Sequence, residues 1–170
     1  MKEKNTGIVV LAAIIIIAVG GLIFPKNKKQ VSAPVLTTKS AKEKGSFSDK
    51  VLAGKLSPYL AFNQTDYDKA LKSRKVIFLD FYANWCPICR SEEPELEAGF
   101  NSLTTDKVVG FRVNWQDSDT DDNERKLAQE FGITTQMTKI ILKDGKKVYG
   151  PDTVVLDRNQ FVAKLAQFTE

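Results

Sequence analysis

The chain has 170 residues, enough for one domain of ordinary size and roughly 50 residues besides. With 27% charged and 42% hydrophobic residues, it is neither wholly disordered nor a collagen-like repeat; two cysteines are too few for a disulfide-stapled mini-protein or a four-cysteine zinc ribbon. Histidine is absent, which removes Ser-His-Asp and Cys-His nucleophile pairs, HExxH metal sites and any imidazole acid–base step.

The net charge of +4 is unevenly divided, with residues 1–56 carrying +7 and residues 57–170 carrying −3. The basic balance belongs to the N-terminal segment, so no nucleic-acid partner is expected for the mildly acidic remainder. Asn5 to Pro25 contains no charge, and Ile8 to Phe24 is almost purely apolar around Ile14-Ile15-Ile16-Ile17. A helix from Gly7 to Phe24 would span roughly 27 Å, close to the hydrocarbon thickness of a bilayer. A cleaved signal peptide is the alternative, but Leu22, Ile23 and Phe24 continue the apolar run past the small residues Ala18-Val19-Gly20. Residues 1–25 are therefore expected to be a single-pass anchor contacting membrane lipid. Flanking lysines favour a cytoplasmic domain, whereas one N-terminal apolar segment before a large domain is the usual layout of an exported protein. An extracytoplasmic domain is expected. Residues 26–56 read as a flexible basic tether, and residues 57–170 as the folded domain.

Tyr59 to Phe62 is a strand candidate, followed by a helix capped by Thr65 and running to about Ser73. Val76 to Tyr82 is a near-continuous apolar run, the pattern of a strand buried on both faces. A helix is expected from Pro87 to about Asn101, a strand over Val108 to Asn114, and a helix from Asp121 to Phe131 with Asp121 and Glu124 as a capping box. Lys139 to Leu142 and Lys147 to Tyr149 flank Asp144-Gly145, a strong hairpin signal. Asp157 and Gln160 cap a last helix, in which Phe161, Leu165 and Phe168 fall on one face. This order predicts an α/β domain with a mixed central sheet and helices on both faces.

Both cysteines occur in Trp85-Cys86-Pro87-Ile88-Cys89, after the buried strand and at the start of a helix. Two intervening residues on a first helical turn bring the sulfurs within disulfide reach. A thiolate there is stabilised by unpaired N–H groups and the helix macrodipole. Pro87 suits the first helical position because it has no N–H to leave unpaired. Cys86, at the exposed end, is the candidate nucleophile, and Cys89, one turn inward, the candidate resolving thiol. A structural disulfide, or a zinc site of four thiolates shared by two chains, remains open on these residues alone; neither a metal nor a cofactor is expected.

The segment Leu79-Asp80-Phe81-Tyr82-Ala83-Asn84-Trp85-Cys86-Pro87-Ile88-Cys89-Arg90, with Pro94 beyond it, resembles the active-site region of thioredoxin-like proteins. Its Tyr-Ala-Asn-Trp-Cys wording is similar to the C-terminal thioredoxin-like domain of bacterial transmembrane disulfide-interchange reductases. The resemblance covers about residues 57 to 169 and implies a thioredoxin fold and thiol–disulfide oxidoreductase activity. Its implied partners are disulfide-containing or thiol proteins and an upstream thiol electron donor or acceptor. It implies that Asp80 is the buried acid that accepts the inner cysteine's proton, a role that desolvation of a carboxyl also favours. Trp85 matches a shielding tryptophan, Pro94 a helix-kinking proline, and Arg112 a position often held by lysine near the buried acid.

One departure stands out. Within Gly132-Ile133-Thr134-Thr135-Gln136-Met137-Thr138, the family pattern places a cis proline where this chain has Met137. A non-proline cis bond costs about 2.5–4 kcal/mol, so a trans bond and an altered loop are expected. Trp85, Pro87, Gln136 and Met137 are the candidate substrate-binding positions. Glu92, Glu93, Glu95 and Glu97 read as a solvated helix face, and Asp117, Asp119, Asp121 and Asp122 as helix-start capping rather than a calcium loop. The sequence thus predicts a membrane-anchored thiol–disulfide oxidoreductase reducing exported proteins. The alternative is a non-enzymatic module of the same fold binding metal or a partner through its thiols.

Overall fold

The computed structural model describes Phe47 and residues 50–170. The expected anchor (1–25) and the tether apart from Phe47 and residues 50–56 lie outside the described residues. Among the described residues, no helix is long and apolar enough to cross a membrane.

The elements are β1 (Val51–Ala53), β2 (Tyr59–Ala61), α1 (Gln64–Lys72), β3 (Val76–Tyr82), α2 (Pro87–Ser102), β4 (Val108–Asn114), α3 (Asp122–Phe131), β5 (Thr138–Lys143), β6 (Lys146–Asp152) and α4 (Arg158–Thr169). They build one six-stranded mixed sheet in the order β1-β2-β4-β3-β5-β6. β2 and β3 run parallel to β4, while β5 is antiparallel to β3 and β6 to β5.

Alternation along the strands sorts side chains to two faces. Ile77, Leu79 and Phe81 of β3 pack with Tyr67 and Ala70 of α1 and Leu127 and Ala128 of α3. Val76 and Phe78 point the other way, onto Leu96 and Phe100 of α2 and Phe161 and Leu165 of α4. All seven residues of β3 are buried, as its apolar run predicts. The capping boxes Asp121–Glu124 and Asp157–Gln160 both form. Asp144 and Gly145, at φ 51° and 72°, make the two-residue turn between β5 and β6.

Three expectations are corrected. The sheet begins at β1, whose Val51 and Ala53 pair with Leu60 and Tyr59, so ordered structure reaches into the segment assigned to the tether. A three-residue strand beside lysines is too short to leave a periodicity signal. Helix α1 is capped by Asn63, not Thr65: the Asn63 side chain accepts from Asp66 N at 2.9 Å. In the sequence Asn63 directly follows the strand candidate ending at Phe62, which masks it as a cap although Asn is as good a cap as any residue. Third, Glu92 is buried rather than on a solvated face.

Gly110 on β4 positions the site from below. A Cβ there would overlap the rings of Phe100 and Tyr59. Without it, Tyr59 and Phe100 stack with centroids 4.8 Å apart and planes 5° from parallel. This stacking fixes the direction of the Tyr59 hydroxyl.

Candidate active site

Cys86 is the N-cap of α2, and Pro87 holds the first helical position. The Cys89 backbone N–H donates to Cys86 Sγ at 3.2 Å, so one of the unpaired donors at the helix start is aimed at that sulfur. Cys86 N donates in turn to Ala83 O at 3.0 Å, tying the cysteine to the end of β3. Both thiols are free in this structure. Cys86 is only 4% exposed, as is Cys89, which corrects the expectation of an exposed outer cysteine. The loop before β5 contributes to this cover, with Met137 packed against the cluster of Tyr82, Ala83, Cys86 and Cys89. Burial pushes the Cys89 thiol up to about 12, and its hydrogen bond with Cys86 adds to the effect.

Beneath the thiols, the sheet presents a row of alternating charge. Asp80 on β3 stands in register with Arg112 on β4 and with Lys139 on β5, all three on the face covered by α2 and α4. Asp80 is buried, and desolvation raises its carboxyl to about 6 against the opposing pull of Lys139. Tyr59 donates its hydroxyl to Asp80 Oδ2 at 3.1 Å. Burial and the adjoining Asp80 push the Tyr59 phenol well above its usual range, so it stays a donor. Helix α2 answers the two cations with two acids. Glu93 pairs with Arg112, whose guanidinium also lies 5.0 Å from the Tyr82 ring centroid. Glu92 Oε2 accepts from Lys139 Nζ at 2.5 Å.

The exposed rim comprises Trp85, Pro87 and Ile88. Trp85 is 51% exposed, and its Nε1 donates to Gln116 O at 2.8 Å, which pins the indole beside the cysteines. Asn84 N donates to Asp117 Oδ2, so Asp117 braces the Trp85 segment, and Asp121 caps α3. Gln136 and Met137 are half-buried in the loop facing the thiols. The only cis peptide bond among the described residues is Gly150–Pro151, so the bond before Met137 is trans, as expected. Met137 adopts φ 63°, in the left-handed region, while its N–H donates to Phe81 O at 2.6 Å.

The structure therefore brings Cys86, Cys89, Asp80, Trp85, Pro87 and Met137 to one end of the sheet, with Gln136 beside Met137. Sequence reasoning missed Tyr59, Glu92 and Lys139. Lys139 was detectable as a charge inside the apolar run Thr138 to Leu142, the signal that had singled out Asp80. Glu92 gave no such signal among its acidic neighbours Glu93, Glu95 and Glu97.

A thiol pair at a helix start above a buried carboxyl is suited to thiol–disulfide exchange. The thioredoxin family model matches residues 58–167. The chain belongs to the thioredoxin family. It is a thiol–disulfide oxidoreductase of that family. Thioredoxin-2 of Pyricularia oryzae is 30% identical over 122 residues, which cover 72% of this chain and 66% of that protein. A thioredoxin mutant from Halobacterium salinarum superposes with a TM-score of 0.54 at 26% identity, covering 69% of this chain and 96% of that one. Protein disulfide-isomerase 5-2 of Arabidopsis thaliana is 31% identical over 111 residues, 61% of this chain and 24% of that protein. The thioredoxin fold and the mixed sheet with helices on both faces thus agree with the sequence reading.

Proposed function

We propose that this thioredoxin-family protein is a membrane-anchored reductase of disulfides in exported proteins, with Cys86 as nucleophile and Cys89 as resolving thiol. The reading rests on one observation above all: the first turn of α2 carries both thiols above the buried Asp80 carboxyl. Cys86 thiolate attacks a substrate disulfide, one substrate sulfur leaves as thiolate, and a mixed disulfide forms. Cys89, held as a thiol by burial, gives its proton to Asp80 and attacks Cys86, releasing the second substrate thiol. An upstream thiol donor then re-reduces the pair. Trp85, Pro87, Gln136 and Met137 form the rim against which a substrate backbone docks. The wording Tyr82-Ala83-Asn84-Trp85-Cys86 supports a kinship with the C-terminal domain of transmembrane disulfide-interchange reductases. The apolar run Ile8 to Phe24 supports anchoring in lipid with the domain outside the cytoplasm.

Two experiments test this. Cys86→Ser abolishes turnover with a protein disulfide, while Cys89→Ser accumulates mixed disulfides visible on a non-reducing gel; equal, unaltered turnover in both variants refutes the mechanism. In cells, the full chain is expected to resist carbonate extraction from membranes, and external protease is expected to digest its domain in intact spheroplasts. Protection of the domain would place it on the other side.

A second reading, a non-enzymatic module binding metal or a partner through its thiols, draws on Met137, which packs against the cluster that contains both cysteines. Stoichiometric metal with unreactive thiols in the purified chain would select it.

A further inference from the structure

The exchange steps proposed above leave one buried ion pair without a part. Lys139 is 1% exposed, and its Nζ has two partners: it donates to Glu92 Oε2 at 2.5 Å and to Met137 O at 3.2 Å. Glu92 lies one helical turn beyond Cys89, and its Oε1 accepts from Leu156 N at 2.7 Å. Removing two charges from water costs several kcal/mol per ion, and apolar residues of similar volume often hold a fold as well or better. The pair's place in the molecule suggests a use other than stability.

Lys139 joins three parts of the site. It stands next to Asp80 across the β3–β5 ladder, holds the carbonyl of the residue that covers the thiols, and is gripped by the helix that carries them. The charged and titratable groups facing Asp80 are Tyr59 from β2, Arg112 from β4, Lys139 from β5, and Glu92, Glu93 and Cys89 from α2. Arg112 is engaged by Glu93. Lys139 is the foremost cation acting on Asp80, and Glu92 the foremost acid opposing it.

We propose that Lys139 and Glu92 are positioning residues of the exchange reaction, acting together on Asp80 as acceptor of the Cys89 proton and on the Met137 loop that covers the thiols. The inference rests on the exchange mechanism given under the proposed function. In the resolving step, the Cys89 S–H proton passes to the Asp80 carboxylate, and the Cys89 sulfur attacks Cys86 Sγ. The Cys86–Cys89 bond forms, the bond from Cys86 to the substrate breaks, and the substrate sulfur departs as thiolate with the electron pair. Lys139 favours the ionised Asp80 that can take that proton, and Glu92 disfavours it.

The two single substitutions therefore act in opposite directions. The reduced full chain is mixed with an aromatic disulfide whose released thiolate is coloured, and release of the second thiolate is timed from pH 5 to 9. With Lys139→Met, the acid-side inflection moves up by about one pH unit, so resolution is about fivefold slower at pH 6 and matches the unmodified chain above pH 8. With Glu92→Gln, which keeps a carbonyl for Leu156 N, the inflection moves down. The double variant Lys139→Met/Glu92→Gln carries no lone buried charge and shows a smaller upward shift; it decides the question if Lys139→Met fails to fold. A purely structural pair would slow the step at every pH without moving the inflection. Folded variants whose inflections stay fixed, or two single variants whose inflections move in the same direction, overturn the proposal. An unmodified chain that releases no second thiolate at any pH would instead remove the exchange mechanism, and this inference with it.

Discussion

Asp80 is an acid among six apolar or aromatic residues of β3, and its environment makes ionisation costly. In the unfolded chain it ionises near its ordinary 3.8; in the fold it does so only near about 6. Between these values the folded state binds a proton that the unfolded state has released, so stability falls as pH rises from about 4 to 6. Asp80→Asn keeps an oxygen for the Tyr59 hydroxyl and avoids that loss. The variant is therefore expected to be more stable by up to about 3 kcal/mol at pH 7.5 and to gain nothing below pH 4. Denaturant midpoints at the two pH values check this; an equal change at both would show that the carboxyl is not held neutral by burial. The same variant lacks the acceptor for the Cys89 proton and is expected to resolve mixed disulfides at least tenfold more slowly at pH 7, read by the second-thiolate assay.

At the scale of elements, the loop before β5 departs most from the family pattern. Met137 has a left-handed backbone, and its N–H is bonded to Phe81 O. Proline fixes φ near −65° and has no N–H, so it fits neither condition. Met137→Pro is expected to lower stability by about 3 kcal/mol in a denaturant titration. A stabilised variant would mean that the loop can change to a proline-compatible form. Most elements were legible from the sequence because each carries a strong local signal: the apolar run of β3, the Asp-Gly turn of the hairpin, and the capping boxes of α3 and α4. Cys86 and Cys89 were legible by spacing, and Asp80 by its contrast with its neighbours. What stayed hidden depends on contacts between distant segments. Strand β1 exists because β2 supplies its hydrogen bonds, and Glu92 is buried because Lys139, 47 residues away, meets it under α2. Cys86 is buried in a cluster against which Met137 packs, a residue that no local pattern around the Cys-x-x-Cys segment contains.

Across the whole molecule, the sheet separates two apolar clusters, and the thiol site occupies one end of it. Phe161 of α4 is fully buried, with ring centroids 5.0 Å from those of both Phe78 and Phe100, and shares no contact cluster with the cysteines. Phe161→Ala is expected to cost about 3–5 kcal/mol of stability while leaving the reduction potential of the Cys86–Cys89 pair unchanged. Denaturation curves and a redox-buffer titration on the folded variant check both halves. The Lys139–Glu92 contact has the opposite character, because either member alone is costly. A buried charge stripped of its partner costs roughly 3–5 kcal/mol, a large part of what keeps a domain folded. The two positions are thus expected to be inherited as one character. In an alignment of descendants, a base at 139 should travel with an acid at 92, apolar residues should occupy both or neither, and chains holding a single survivor of the pair should be scarce.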